Sequence, residues 1–170
     1  MKLKFTIRNE RPDDIASIGY VTEEAFKTLE IGDHTEQFII NALRAAGALA
    51  ISLVAEMDGN VIGHIAFSPV TMSDGTSDWY GLGPVSVLPD YQNHGVGKAL
   101  IEEGLSRLDE INAKGCCLVG HPGYYKKFGL KNVTDLVLEG VTQEVFFVLS
   151  LDGNIPRGEA TFHDAFKATG

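Results

Sequence analysis

The stretch that most constrains this chain runs from Gly83 to Leu100, GPVSVLPDYQNHGVGKAL. An apolar strand, Gly81 to Leu88, is ended by Pro89-Asp90 and followed after a short turn by a helix from Gly95 to about Ala113. On that helix Val96, Leu100, Gly104, Leu108 and Ile111 recur at spacings of three and four, which predicts one buried face. The charges Glu102, Glu103, Arg107, Asp109 and Glu110 fall elsewhere. A helix that starts this way presents unpaired N–H groups and the positive end of its dipole to an anion. Gly95 and Gly97 carry no side chain that would hold a phosphate away.

The rest of the chain reads as sheet and helix around that unit. Lys4 to Arg8 alternates at period two and predicts a strand. Pro12, with Asp13 and Asp14 behind it, opens a helix whose inward face is Ile15, Ile18, Val21 and Ala25. A second helix is expected from Thr35 to Ala46, with Phe38, Ile39, Ala42 and Leu43 inward and Gly47 as its stop. Strands Leu49 to Met57 and Val61 to Thr71 flank Asp58-Gly59-Asn60, a hairpin turn, and Asp74 to Asp78 is a polar loop. After the long helix, Cys116 to Val119 predicts a strand buried on both faces, Pro122 to Phe128 a short helix stopped by Gly129, and Glu144 to Leu151 a last strand. The order predicts one mixed α/β sheet domain with helices on its faces, spanning 1–151. The tail, 152–170, holds Phe162, His163 and Phe166, and its aromatic content predicts docking on the same domain or on a partner subunit of a homodimer.

Three phosphate-site patterns compete for the glycine-rich turn. A Walker A loop needs Gly where Gln92 stands and Ser or Thr where Ala99 stands. A dinucleotide fingerprint needs Gly where Leu100 stands. Gln92-Asn93-His94-Gly95-Val96-Gly97 instead resembles Q-x-x-G-x-G, the pyrophosphate signature of the GNAT acetyltransferase superfamily. Tyr125-Lys126-Lys127-Phe128-Gly129-Leu130 resembles the second motif of that family, Y-x-x-x-G-[FL], with Leu130 in place of the commoner Phe. Arg11-Pro12-Asp13-Asp14 is similar to a GNAT start. Val119 to Tyr125 and Gly158 to His163 are similar to a bacterial subgroup of acetyltransferases in which His121 stands where Asp is common.

The resemblance covers nearly the whole chain, and only Gln92 to Lys98 is specific. It implies a mostly antiparallel sheet whose central strands splay apart around acetyl-CoA as cosubstrate. It implies pairing of the pantetheine arm with main-chain groups of Val85 and Val87. N–H groups from His94 to Lys98, within the motif Gln92, Asn93, His94, Gly95, Val96, Gly97 and Lys98, would hold the pyrophosphate. His94 stands where the family often has Arg or Lys, which weakens the side-chain contribution. Tyr125 would be the general acid for the leaving thiolate, with Tyr124 as the neighbouring rival. The base is open among His121, Glu23, Glu24, Glu30 and a water chain, and His64 is structural or substrate-facing.

Charge and composition narrow the partners. The formal charge is −9, which argues against nucleic acid and against an anionic membrane surface. No apolar run approaches the ~20 residues of a membrane span. Cys116 and Cys117 are adjacent, unsuited to pairing with one another and without metal-ligand spacing, so two reduced thiols, no metal and a cytoplasmic setting are expected. The expected function is acetyl transfer from acetyl-CoA to a primary amine of a small molecule or peptide by direct attack. The competing readings are a silent acetyl-CoA-binding module and an acyltransferase using a longer acyl-CoA.

Overall fold

A computed structural model describes residues 3–27 and 34–170. The elements, in order, are β1 (Thr6–Asn9), α1 (Ile15–Lys27), α2 (Glu36–Ala45), β2 (Ile51–Met57), β3 (Asn60–Met72), β4 (Trp79–Val87), α3 (Val96–Glu110), β5 (Gly115–Val119), β6 (Leu136–Leu138), β7 (Phe146–Ser150) and β8 (Gly158–Phe162). They form one sheet in the order β1-β2-β3-β4-β5-β7, with β8 pairing both β3 and β6. All neighbours are antiparallel except β4 with β5 and β6 with β8.

Local chemistry explains the pieces. The β2–β3 hairpin closes with Asp58 at φ 50° and Gly59 at φ 81°, the positive-φ pair that lets a two-residue turn follow the twist of its strands. Arg8 on β1 grips Asp14 ahead of α1 at 2.7 Å, and Asp14 also accepts the Arg11 N–H at 2.7 Å, so the chain's first turn is fixed to the sheet. The Arg8 guanidinium holds the Asp14 carboxyl below its ordinary range, against the opposing effect of burial.

α1 and α2 cover one face of the sheet and α3 the other. Two glycines bring α3 in close. A Cβ at Gly63 of β3 would sit 3.1 Å from Leu100 and Val96, and one at Gly104 of α3 would overlap the Phe67 ring, with Cζ at 2.6 Å. Leu53, Ile65, Phe67, Leu100, Ile101 and Leu108 fill this side and have no exposed surface. Cys116 and Cys117 are free and buried, and burial pushes the Cys116 thiol up to about 12, so both stay protonated and inert.

The structure departs from the sequence reading at several points. Ile15 and Ile111, expected inward, are 39% and 46% exposed, because each lies at a helix end where the periodic face has run past its support. Val119, expected buried on both faces, is 46% exposed, since β5 has lost its β4 neighbour there. The helix expected from Pro122 is a single 3₁₀ turn, Tyr125–Phe128, closed by Gly129 at φ 90°. β6 and β8 were not foreseen. At three and five residues they are too short to show a period, and they exist because they complete each other and the upper half of β3. β8 continues the edge of β3 that β2 occupies lower down, and the rings of Phe162 and Phe166 meet at 5.1 Å.

Candidate functional site

The site begins with a gap in the sheet. β4 and β5 pair only from Trp79 to Gly81 against Gly115 to Cys117, then diverge. β4 also carries an irregularity against β3, where Ile65 faces Val85 but Phe67 faces Leu82, so β4 fits an extra residue around Gly83 and Pro84. The Leu88 N–H donates to Ile62 O at 2.9 Å, toward β3. By strand alternation the N–H and C=O groups of Val85 and Val87 point the opposite way, into the gap. A neighbouring strand would use these groups, and here the Val85 N–H and C=O and the Val87 N–H are open to a ligand.

At the end of β4 the chain turns through Pro89–Tyr91 into α3. The Gln92 side-chain amide donates to Val87 O at 3.0 Å and so latches the turn to the strand. Asn93 and Gly95 adopt φ 65° and 86°, and Gly95 is the residue before the helix. The first helical bond is Ala99 N–H to Gly95 O at 3.0 Å. No side chain caps the helix, and from Asn93 to Lys98 no backbone N–H meets an acceptor among the described residues. Uncapped donors of this kind, with the helix dipole behind them, favour an anion.

A cleft of about 570 Å³ joins these features, lined by Val85, Val87, Gln92, Asn93, Gly95 and Gly97, and closed by Lys98, Tyr124, Tyr125 and Lys127. Of the residues singled out in the sequence, Val96 contributes only its backbone, its side chain being 1% exposed in the core. His94 is exposed and outside the lining. Lys127 was not singled out in the sequence. Its Nζ stands 4.2 Å above the Tyr124 ring and so brings a cation to the wall of the cleft. The three-residue step from Tyr124 to Lys127 across one 3₁₀ turn is the signal that would have found it.

Tyr125 is half-buried between Tyr124, 4.9 Å away edge-on, and Phe147 at 6.0 Å. Gly120, at the end of β5, leaves room for its ring, since a Cβ there would stand 2.7 Å from Tyr125 Cδ2. Burial, with a smaller effect from Tyr124, raises the Tyr125 phenol above its ordinary 10, so it stays protonated and can donate. Beyond Tyr125 and Val85 lies a second pocket of about 320 Å³, walled by Phe26, Ile39, Pro84, Val119, Phe162 and Phe166, with Glu36 as its carboxylate. The two hollows share only Val85 and Tyr125.

Of the base candidates named from sequence, those among the described residues line neither hollow. His121 is exposed, and its Nδ1 accepts the Gly123 N–H at 3.1 Å. Glu23 is exposed on α1, Glu24 lies 3.5 Å from Lys27, and Glu30 falls outside the described residues. His64 is buried within β3, on a chain of hydrogen bonds to Ser52 (2.7 Å) and from there to Glu10 (2.5 Å), which Arg44 also holds at 2.8 Å. A hollow of about 490 Å³ beside this cluster has its Glu10 and Arg44 charges already paired with each other. Among the described residues no group of acidic, His or Cys side chains could hold a metal, and no helix is long and apolar enough to cross a membrane.

A sequence model of the acetyltransferase (GNAT) family matches residues 18–129. The chain is 33% identical over 126 residues to the uncharacterized N-acetyltransferase YhbS of Escherichia coli strain K12, covering 74% of this chain and 72% of that protein. Its structure is similar to that of a GNAT family acetyltransferase from Brucella melitensis in complex with acetyl-CoA, at 47% identity and TM-score 0.86, covering 96% of this chain and 98% of the other. It is also similar to the crystal structure of Escherichia coli YhbS in complex with CoA, at 31% identity and TM-score 0.88, covering 100% and 96%.

Proposed function

The chain belongs to the acetyltransferase (GNAT) family, and on that premise we propose that it moves the acetyl group of acetyl-CoA onto a primary amine by direct attack. The observation that carries this reading is the set of unpaired N–H groups at the start of α3, opening onto a cleft that reaches Tyr125. In this reading the pyrophosphate rests on the N–H groups from His94 to Lys98, within the motif Gln92, Asn93, His94, Gly95, Val96, Gly97 and Lys98. Lys98 and Lys127 supply positive charge in a protein of net charge −9. Gln92 orders the loop by holding Val87 O, so the pantetheine arm pairs with the open groups of Val85 and the Val87 N–H. The thioester then reaches the boundary between the two hollows, beside Tyr125.

The acceptor loses a proton to water and its neutral nitrogen attacks the carbonyl carbon. A C–N bond forms, the C–S bond breaks, and the nitrogen sheds its surplus proton. The Tyr125 hydroxyl donates to the departing sulfur and is reprotonated from solvent. An amine that arrives as ammonium thus yields amide, free CoA thiol and one proton. The protein's contribution is mainly positioning and donation. Two adjacent buried thiols fit a reducing cytoplasm.

Tyr125→Phe keeps the ring packed on Phe147 and removes the donor. We expect a kcat loss on the order of 10²-fold with unchanged acetyl-CoA affinity, measured by thiol release and by calorimetry. Because burial raises the phenol, wild-type kcat holds to above pH 10 before falling as the donor ionises, and the variant lacks that fall. Turnover within threefold of wild type would make Tyr125 a packing residue.

A further inference from the structure

Glu36 and the aromatic residues around it lie outside the lining of the cofactor cleft. The pocket meets the cofactor cleft at Val85 and Tyr125, the point where an acceptor nitrogen must arrive. Its walls come from all parts of the chain. Phe26 ends α1, Ile39 lies on α2, Pro84 on β4 and Val119 at the freed end of β5, while Phe162 and Phe166 come from the C-terminal segment. Phe162 reaches this place because Gly81 of β4 has no side chain, its Cβ position lying 3.4 Å from the ring.

Among the described residues Glu36, in the first turn of α2, is the one acidic residue in this lining, and no cationic residue lines it. Among the described residues its carboxylate has no ion-pair partner. With the described wall otherwise apolar, this carboxylate favours a ligand with one positive charge and an apolar remainder. A second cation would be desolvated among aromatic rings with no counter-charge among the described residues, at a heavy cost. A volume of about 320 Å³ is at the small end of ligand pockets, room for a single compact body.

We propose that the acceptor is a small primary monoamine carried on an aromatic or branched apolar body, with the body against Phe162 and Phe166 and the ammonium received by Glu36. This rests on the acetyl-transfer reading above. Glu36 then fixes acceptor affinity and orientation and leaves acetyl-CoA binding alone.

The test is a thiol-release assay of the full chain with acetyl-CoA and four amines: 2-phenylethylamine, isoamylamine, spermidine and a lysine-containing peptide. The wild type should turn over one of the first two with kcat/KM at least tenfold above spermidine and the peptide. Glu36→Gln should raise KM for that amine at least tenfold, with the melting temperature and the calorimetric affinity for acetyl-CoA unchanged. Preference for spermidine or the peptide overturns the proposal, as does an unchanged KM in Glu36→Gln, or acetyl-CoA binding without turnover of either apolar amine. In those outcomes intact acetyl-CoA binding leaves the acetyltransferase reading standing. Failure of the wild type to bind acetyl-CoA removes both.

Discussion

His64 makes the fold sensitive to mild acid, and the structure sets the size of the effect. The Ser52 hydroxyl has one proton, and the Glu10 carboxylate, 2.5 Å away, can only accept it. Ser52 must therefore accept from His64, which fixes the imidazole as the neutral Nε2–H form at 2.7 Å. The other ring nitrogen, Nδ1, is buried without a partner. Protonating His64 would create a buried charge and also an N–H with no acceptor. Glu10 pulls the other way from 4.0 Å, but burial wins and lowers the histidine from 6.5 to about 4. Between those values the unfolded chain binds a proton that the folded chain refuses, so stability falls as pH falls. Each pH unit is worth about 1.4 kcal/mol, and the whole interval about 3 kcal/mol. From pH 7 to pH 5, above the carboxylate range, the loss from His64 alone is about 2 kcal/mol. Urea unfolding of wild type and His64→Gln at both values isolates it, because every other titrating group is common to the two. The stability difference between the proteins should shift by about 2 kcal/mol in favour of the variant at pH 5. A difference that stays constant within ~0.5 kcal/mol refutes the assignment of a neutral, half-satisfied imidazole.

Two further perturbations test the packing that carries the site. Gly104→Ala gains about 1 kcal/mol of helix propensity but drives a methyl into the fully buried Phe67 ring, at a cost of about 1–3 kcal/mol; urea unfolding should show net destabilisation, and a stabilised variant would mean that α3 is free to lift. Truncation after Leu151 removes β8 and the aromatic pair Phe162–Phe166, and should lower the melting temperature by roughly 6–12 °C, from about 3 kcal/mol of lost burial; a truncated protein that melts like the full chain would make this segment dispensable.

How much of this was legible beforehand follows from where each signal resides. The α3 unit announced itself because glycines, a preceding strand and a long amphipathic face all lie within one continuous stretch, Gly83 to Glu110. The β2–β3 hairpin was equally local, since Asp58-Gly59 specifies its own turn. What escaped is non-local. β8 has a polar, glycine-led sequence and is a strand only because β3 extends past β2 and leaves an edge to fill. The pocket at Glu36 is assembled from residues as far apart as Phe26 and Phe166, and no spacing rule connects them. His64 looked ambiguous because its character depends on Ser52 of β2 and on Glu10, just past β1. Tyr125 was visible as a motif residue, but the reason it can donate, burial against Phe147 with room made by Gly120, is tertiary.

Calorimetric titration of acetyl-CoA into wild type and Gly97→Glu reads out whether the uncapped start of α3 holds the pyrophosphate. The fold has room for the change: a Cβ at Gly97 meets only the Tyr124 hydroxyl at 3.4 Å and Val87 Cγ2 at 3.8 Å. The new carboxylate, however, would share the anion's place. Wild type should bind, and the variant should show no measurable binding while melting at the wild-type temperature. Unchanged affinity in a folded Gly97→Glu protein would contradict the account.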